Sequence, residues 1–277
     1  MKKLSVSIDY QSYNDGSVFL DVAIQNESIL TGFWTFDVRL GKKGLIPESR
    51  WTKICEHMEK GCEYTEIELH LSEDYRFQRS LLLNHKDKHL LLADSILAEA
   101  ECKTKKTLSY CSDVQVSPKL RAKTSGEATE IEYQPFGRSG VPGFRVLPLA
   151  LPEWKASTPV GLVSGKLIAT EGRLVLLQAT TGRSLFAPLL FDLDAERLSK
   201  RYTWRQLTVG EDLQLVSEDR AVGYRIQLGK RQFLLYRSLT PQTNRTVLGH
   251  NLIDDFCFAR FDPESGVEPL IAVEVAE

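Results

Sequence analysis

Alternation of apolar and polar residues with a period of two runs through almost the whole chain, and helical periodicity is nearly absent. Val18, Leu20, Val22 and Ile24 fall on one face of a segment whose other face carries Phe19, Asp21, Ala23 and Gln25. Such a segment is a half-buried strand. The same pattern recurs in residues 33–40, 64–71 and 128–133. Continuous apolar runs also occur, Leu81–Leu83, Leu90–Ala93, Leu174–Leu177 and Phe233–Tyr236, and these suit strands covered on both faces. Turn residues fall between the runs at close intervals: Asn14-Asp15-Gly16, Gly41 to Gly44, Thr181-Gly182 and Glu264-Ser265-Gly266 are examples. About twenty strands are expected on this pattern. Only residues 194–200 and 47–51 have the composition of a helical turn or two.

An all-β protein of long antiparallel strands, stacked so that some sheets are covered on both sides, is the fold class this pattern requires. A length of 277 residues would accommodate two domains or one large sandwich. The segment Phe136 to Pro159 decides the expectation. It is rich in glycine and proline, as a connection would be, yet it carries Phe144, Val146, Leu147, Leu149, Leu151 and Trp154, which a flexible linker would not need. It is therefore expected to be a packed connection within one large domain, residues 1–277. Lobes 1–135 and 160–277 are the fallback.

With 35 Lys and Arg against 37 Asp and Glu, the chain lacks the basic excess of a nucleic-acid binder. No stretch approaches the ~18 consecutive apolar residues of a membrane-spanning helix. The residues after Met1-Lys2-Lys3 alternate instead of forming the apolar run of a signal peptide. Five cysteines, Cys55, Cys62, Cys102, Cys111 and Cys257, are too sparse for a disulfide lattice and lack the spacing of a zinc knuckle. No metal or cofactor is expected, and a reducing, cytoplasmic setting is.

Residues 76–96 read as strand, polar turn, strand: Arg79 is followed by the aliphatic run Leu81–Leu83, the Lys86-Asp87 turn, the run Leu90–Leu92 and Asp94. This hairpin resembles the arginine, aliphatic, turn, aliphatic, aspartate pattern in the C-terminal β-domain of heparinase II/III-like polysaccharide lyases. The resemblance implies a large antiparallel β-super-sandwich with very little helix, in which Arg79 and Asp94 close the two ends of the pattern. In that family most acid/base and substrate-binding residues sit on a helical toroid that precedes the β-domain, so no catalytic residue is carried over to this chain.

Charge is uneven along the sequence. Between Arg197 and Arg245 ten basic residues face four acids, and from Thr246 to Glu277 seven acids face one base. Two such stretches are expected to pair as neighbouring strands. Rings and guanidinium groups interleave in the first of them, and an arginine fork suits carboxylate or sulfate while a ring stacks on a sugar face. Trp204, Arg205, Arg225, Arg237, Asn244 and Arg245 are the candidate ligand-binding residues. Adjacent residues such as Tyr224 and Arg225 point to opposite faces of a strand, so the rings belong equally well to the core.

The expected function is a non-catalytic β-sandwich module that binds an acidic polysaccharide or a partner protein, among them a separate helical chain restoring the missing toroid. Nucleic acid and membrane are not expected partners. The alternative is a carbohydrate-active enzyme, lyase-like or epimerase-like, with acid/base groups among His70, His250, Glu66, Glu68 and Tyr224.

Overall fold

The computed structural model describes residues 4–274, except 14–15, 100–105, 138–139, 158–160, 242, 263 and 265. Cys102 and the Asn14-Asp15 and Ser265 turn positions fall outside the described residues. In chain order the strands begin with β1 (Leu4–Asp9), β2 (Val18–Ile24), β3 (Glu27–Leu40), β4 (Lys43–Leu45), β5 (Thr52–Glu59), β6 (Cys62–Leu71), β7 (Tyr75–Asn84), β8 (His89–Ala98) and β9 (Leu108–Gln115). They continue with β10 (Leu120–Thr124), β11 (Ile131–Pro135), β12 (Phe144–Pro148), β13 (Val163–Thr170), β14 (Arg173–Thr180) and β15 (Leu185–Asp192). After a single 3-10 turn, Ala195–Arg197, come β16 (Tyr202–Leu207), β17 (Gly210–Glu211), β18 (Gln214–Leu215), β19 (Ala221–Leu228) and β20 (Arg231–Ser238). The last four are β21 (Arg245–Val247), β22 (His250–Leu252), β23 (Phe256–Asp262) and β24 (Gly266–Val273).

All named pairings are antiparallel and form four sheets. A seven-stranded sheet runs β1-β2-β3-β9-β14-β13, with β4 paired to β3; an eight-stranded sheet runs β10-β11-β12-β15-β8-β7-β6-β5. A five-stranded sheet, β16-β19-β20-β23-β24, and a small sheet, β18-β17-β21-β22, complete the set. Three apolar clusters show how they stack. Val22, Trp34, Leu69, Phe77, Leu92 and Leu176 fill the space between the seven- and eight-stranded sheets. Leu82, Leu91, Phe186, Ile226, Phe233 and Phe258 fill that between the eight- and five-stranded sheets. Leu234, Tyr236, Val247 and Leu252 lie between the five-stranded and small sheets. The result is a four-layered, all-β super-sandwich, as the pattern and the resemblance predict.

The eight-stranded sheet is central, and its strands are apolar on both faces because both faces are covered. Every residue of β15 is buried, as is nearly every residue of β7 and β8. The Phe233–Tyr236 run is likewise buried on both faces. The Leu174–Leu177 run is not: β14 lies in an outer sheet and alternates, with Val175 and Leu177 turned outward. Residues 47–51 are not helical either, since Pro47 forms an isolated bridge with Leu71 and Trp51 is buried with its Nε1 donating to Gly16 O. Residues 194–200 make only the short 3-10 turn.

The glycine- and proline-rich middle contains an interior strand that its composition conceals. β12 sits between β11 and β15, with Val146 opposite Ile131 on one side and Phe191 on the other. Pro148 is tolerated because it is the strand's last residue. The ladders β8/β15 and β9/β14 join strands from both sides of residues 135–160.

The hairpin that carries the family resemblance is a buried ion pair in register. Arg79 and Asp94 are cross-strand partners, and the guanidinium donates from Nε and Nη2 to the two carboxylate oxygens at 2.9 and 2.8 Å. Nη1 donates to Trp34 O at 2.7 Å, the guanidinium lies 3.7 Å from the Trp34 ring centroid, and the Tyr110 hydroxyl donates to Asp94. A fully satisfied pair of this kind fixes the register of its strands, since removing either partner would leave a buried charge alone.

The two charge blocks pair less with each other than expected. β20 of the basic block pairs with β23 of the acidic block, but the Arg260–Glu268 pair at 3.3 Å lies within the acidic block. Yet Arg231 and Arg260 both bind Asp87 in the β7–β8 turn, Arg237 binds Glu66 of the central sheet, and Arg220 and Arg245 share Glu211 within the basic block. The charges close between layers.

Among the described residues no helix is long and apolar enough to cross a membrane. Cys55, Cys62, Cys111 and Cys257 are free thiols, and burial pushes Cys62 up to about 11 and Cys257 up to about 12.

Candidate functional site

The candidate residues separate into three environments. Arg237 points from β20 into the core between layers, where Nη2 donates to Glu66 at 2.5 Å and to Gln78. Arg245 is fully buried under the small sheet, donating to Glu211 at 2.8 Å and to Ser238 and Thr240 at 2.6 Å. Arg245 and the Thr243 hydroxyl hold the Glu211 carboxyl down at about 2. Asn244 is exposed on the loop before β21. Neither buried guanidinium is turned toward solvent, so neither is placed to meet a ligand.

Arg205 and Arg225 are in register across β16 and β19, hence on one face. Arg225 is held there by Gln232, its Nε 2.9 Å from Oε1, and lies over the Phe261 ring. Arg205 is exposed and has no hydrogen-bond or ion-pair partner among the described residues. Its neighbour Trp204 is buried and donates from Nε1 to Leu151 O at 2.9 Å, which clamps β16 to the segment that follows β12.

That clamp shapes a cleft of about 540 Å³. β16 is an edge strand, so Trp204 and Arg205, although on opposite faces, both border it. Leu149, Leu151, Val209 and Ala221 make an apolar floor, and Trp154 forms a wall with half of its surface exposed. Two carboxylates complete the lining. Glu153 accepts from the Thr203 hydroxyl, and Glu218 accepts from Leu162 N at 2.8 Å. Gly161 lies beside Glu218 at φ +154°, a backbone conformation that residues with a Cβ rarely adopt, and a Cβ there would stand 2.0 Å from Glu218 Oε1 and oblige the carboxylate to move. Arg205, Gln206, Ser157 and the Trp154 indole offer donors around the rim.

The cleft therefore joins an exposed ring, an apolar floor, one free guanidinium and two carboxylates already turned by single donors. An aromatic platform beside a few convergent polar groups is the pattern by which proteins hold small polar ligands. Sequence reasoning reached Trp204 and Arg205 but missed Trp154, Glu153 and Glu218. Trp154 was visible as a large ring in a proline- and glycine-rich segment, where loops carry binding residues. Glu153 and Glu218 left no signal, since they approach from segments 65 residues apart.

The groups that would serve acid/base chemistry are dispersed over three sheets. Glu66, Glu68 and His70 lie on β6, Tyr224 on β19 and His250 on β22. Glu66 is bound to Arg237, Glu68 accepts from Gln78 at 2.7 Å, and burial drives the Tyr224 hydroxyl far above its usual range. Among the described residues, no three His, Cys, Asp or Glu side chains are grouped to hold a metal ion.

No family model matches the chain, and no curated protein matches its sequence. Solved structures do match its fold. The heparan sulfate lyase HepC from Pedobacter heparinus superposes with a TM-score of 0.50 at 11% identity, covering 80% of this chain and 36% of that one. This chain is similar in fold to a heparan sulfate lyase. A heparinase III structure matches with a TM-score of 0.48 at 9% identity, over 79% of this chain and 35% of that one. The chain thus spans about a third of the length of the lyases it matches. At such identities the likeness is one of fold, and it agrees with the expectation drawn from residues 76–96.

Proposed function

We propose that this chain is a non-catalytic β-sandwich module that holds an acidic saccharide in the cleft beside β16. The observation that carries the reading is the half-exposed Trp154 ring in the same cleft as an unpaired Arg205. The indole stacks on the apolar face of a sugar, and the guanidinium fork donates two parallel hydrogen bonds to a uronate carboxylate. Glu153 and Glu218 accept sugar hydroxyls, and their charge favours a glycan with one carboxylate per unit or fewer over a densely sulfated one. This reading moves the ligand away from Arg237 and Arg245, whose charges are spent inside the molecule.

The test is titration with polygalacturonate, hyaluronan, heparin and neutral dextran, followed by tryptophan fluorescence at low and high salt. Polygalacturonate or hyaluronan is expected to bind with an affinity that falls as salt rises. Trp154→Ala is expected to weaken binding at least tenfold, and Arg205→Ala to remove most of the salt dependence. Absence of salt-sensitive binding to every acidic glycan overturns the proposal.

One observation favours the enzyme alternative: two carboxylates, Glu153 and Glu218, border one cleft, and paired carboxylates are how glycosidic bonds are commonly cleaved. Chain shortening of a bound polysaccharide that is abolished by Glu218→Gln would establish it.

A further inference from the structure

The cleft ends at the first residue of an edge strand, and a second concavity begins at the next one. Val163 lines the cleft, whereas Ser164, Gly165 and Lys166 line a trough of about 620 Å³ on the outer face of the seven-stranded sheet. The wall between them is thin because Gly165 has no side chain. A Cβ at Gly165 would lie 2.1 Å from Leu177 O and 3.0 Å from Leu151 Cδ2, and Leu151 lines the cleft. β13 pairs with β14 alone, so nothing in the sheet obstructs passage over its free edge.

The trough is built by two rows of residues in register across β13, β14, β9 and β3. One row is Lys166, Leu177, Cys111 and Asp37; the other is Ser164, Ala179, Ser109 and Arg39. Small side chains occupy the middle of the second row, which makes the surface concave, and a cation stands at opposite ends of the two rows. Lys166 is exposed and has no partner among the described residues, and Arg39 is exposed with its Nε 2.7 Å from Asp37. Leu177 keeps 37% of its surface in solvent, an apolar patch between hydroxyls. Neighbouring strands are about 4.8 Å apart, a step comparable with the length of a pyranose ring. A sugar chain laid across the rows would therefore meet roughly one strand per residue.

We propose that the trough is a second subsite continuous with the cleft, so that the protein binds a linear oligosaccharide that crosses the start of β13, and not a single sugar. Lys166 and Arg39 are the far contacts, pairing with carboxylates of residues beyond the one stacked on Trp154. The inference rests on the saccharide reading of the cleft.

The experiment is calorimetric titration with size-defined hyaluronan and galacturonan oligomers from disaccharide to octasaccharide. Affinity is expected to rise at least tenfold across the series, beyond the few-fold gain that extra binding registers give a longer chain. Lys166→Ala and Arg39→Ala are each expected to weaken octasaccharide binding three- to tenfold and to leave disaccharide binding unchanged, whereas Trp154→Ala weakens both. Both substituted side chains are exposed, and an unchanged thermal midpoint confirms the fold. Length-independent affinity, or a silent Lys166→Ala with the octasaccharide, overturns the second subsite while leaving the cleft intact. If no oligomer of either series binds, the cleft reading falls and this inference with it.

Discussion

His89 is the residue whose environment departs furthest from its chemistry. It is completely buried, both ring nitrogens lack a hydrogen-bond partner, and it stands edge-on to Phe233 of the adjacent layer, 4.7 Å between centroids. Burial is the main cause that lowers its pKa from 6.5 to about 4, with Asp192 and Asp87 opposing and Arg197 and Arg231 adding to the fall. Between those values the unfolded chain binds the proton and the folded protein does not. Stability must therefore fall as pH falls through that window, by on the order of 3 kcal/mol if the imidazole acts alone. The urea midpoint is expected to drop between pH 7 and 4.5, and His89→Phe, which preserves the ring contact, is expected to drop by visibly less. Equal drops would show that other groups carry the acid sensitivity. His89 follows the polar Lys86-Asp87 turn in sequence, and nothing local marks it as buried; the five-stranded sheet that covers it is built from residues more than a hundred positions later.

At the scale of the element, similar aliphatic runs have different meanings. Leu90–Leu92 and Leu174–Leu177 look alike in sequence, yet β8 is buried on both faces and β14 on one. Leu91 faces the space between the central and five-stranded sheets with none of its surface exposed, whereas Leu177 is 37% exposed. Leu91→Ala is expected to cost about 2–5 kcal/mol of unfolding free energy, and Leu177→Ala under about 1 kcal/mol. Denaturant unfolding of the two variants checks this, and comparable losses would contradict the layer assignment. Strand existence was legible because period-two alternation is a local property. Which runs are central depends on the order of strands in the sheets, and no local pattern encodes it. β12 shows the same limit from the other side: proline and glycine around it read as a loop, and only its position between β11 and β15 makes it a strand.

Across the whole molecule, covalent order and spatial order are interleaved. Strands from beyond residue 160 complete sheets begun before residue 135, and Arg231, Arg237 and Arg260 bind Asp87 and Glu66 across layers. We propose that residues 1–277 unfold as one cooperative unit. A single calorimetric transition is expected, with calorimetric and van't Hoff enthalpies in agreement, and neither residues 1–135 nor residues 160–277 are expected to fold when expressed alone. Two resolved transitions, or a folded fragment, would divide the chain into lobes. The charge blocks belong to this scale as well, since the basic stretch is neutralised largely by Glu66 of the central sheet, by Asp87 of the β7–β8 turn and by its own Glu211.

The all-β class, the approximate strand set and the hairpin of Arg79 and Asp94 were determined by the sequence itself, because alternation, turn residues and a complementary pair of charges act over short separations. The identity of the central sheet, the burial of Arg237 and Arg245, and the cleft of Trp154, Glu153, Arg205 and Glu218 were decided only by the tertiary structure. The physical reason is that desolvation and proximity arise from layers closing over one another, and strands far apart in sequence supply those layers.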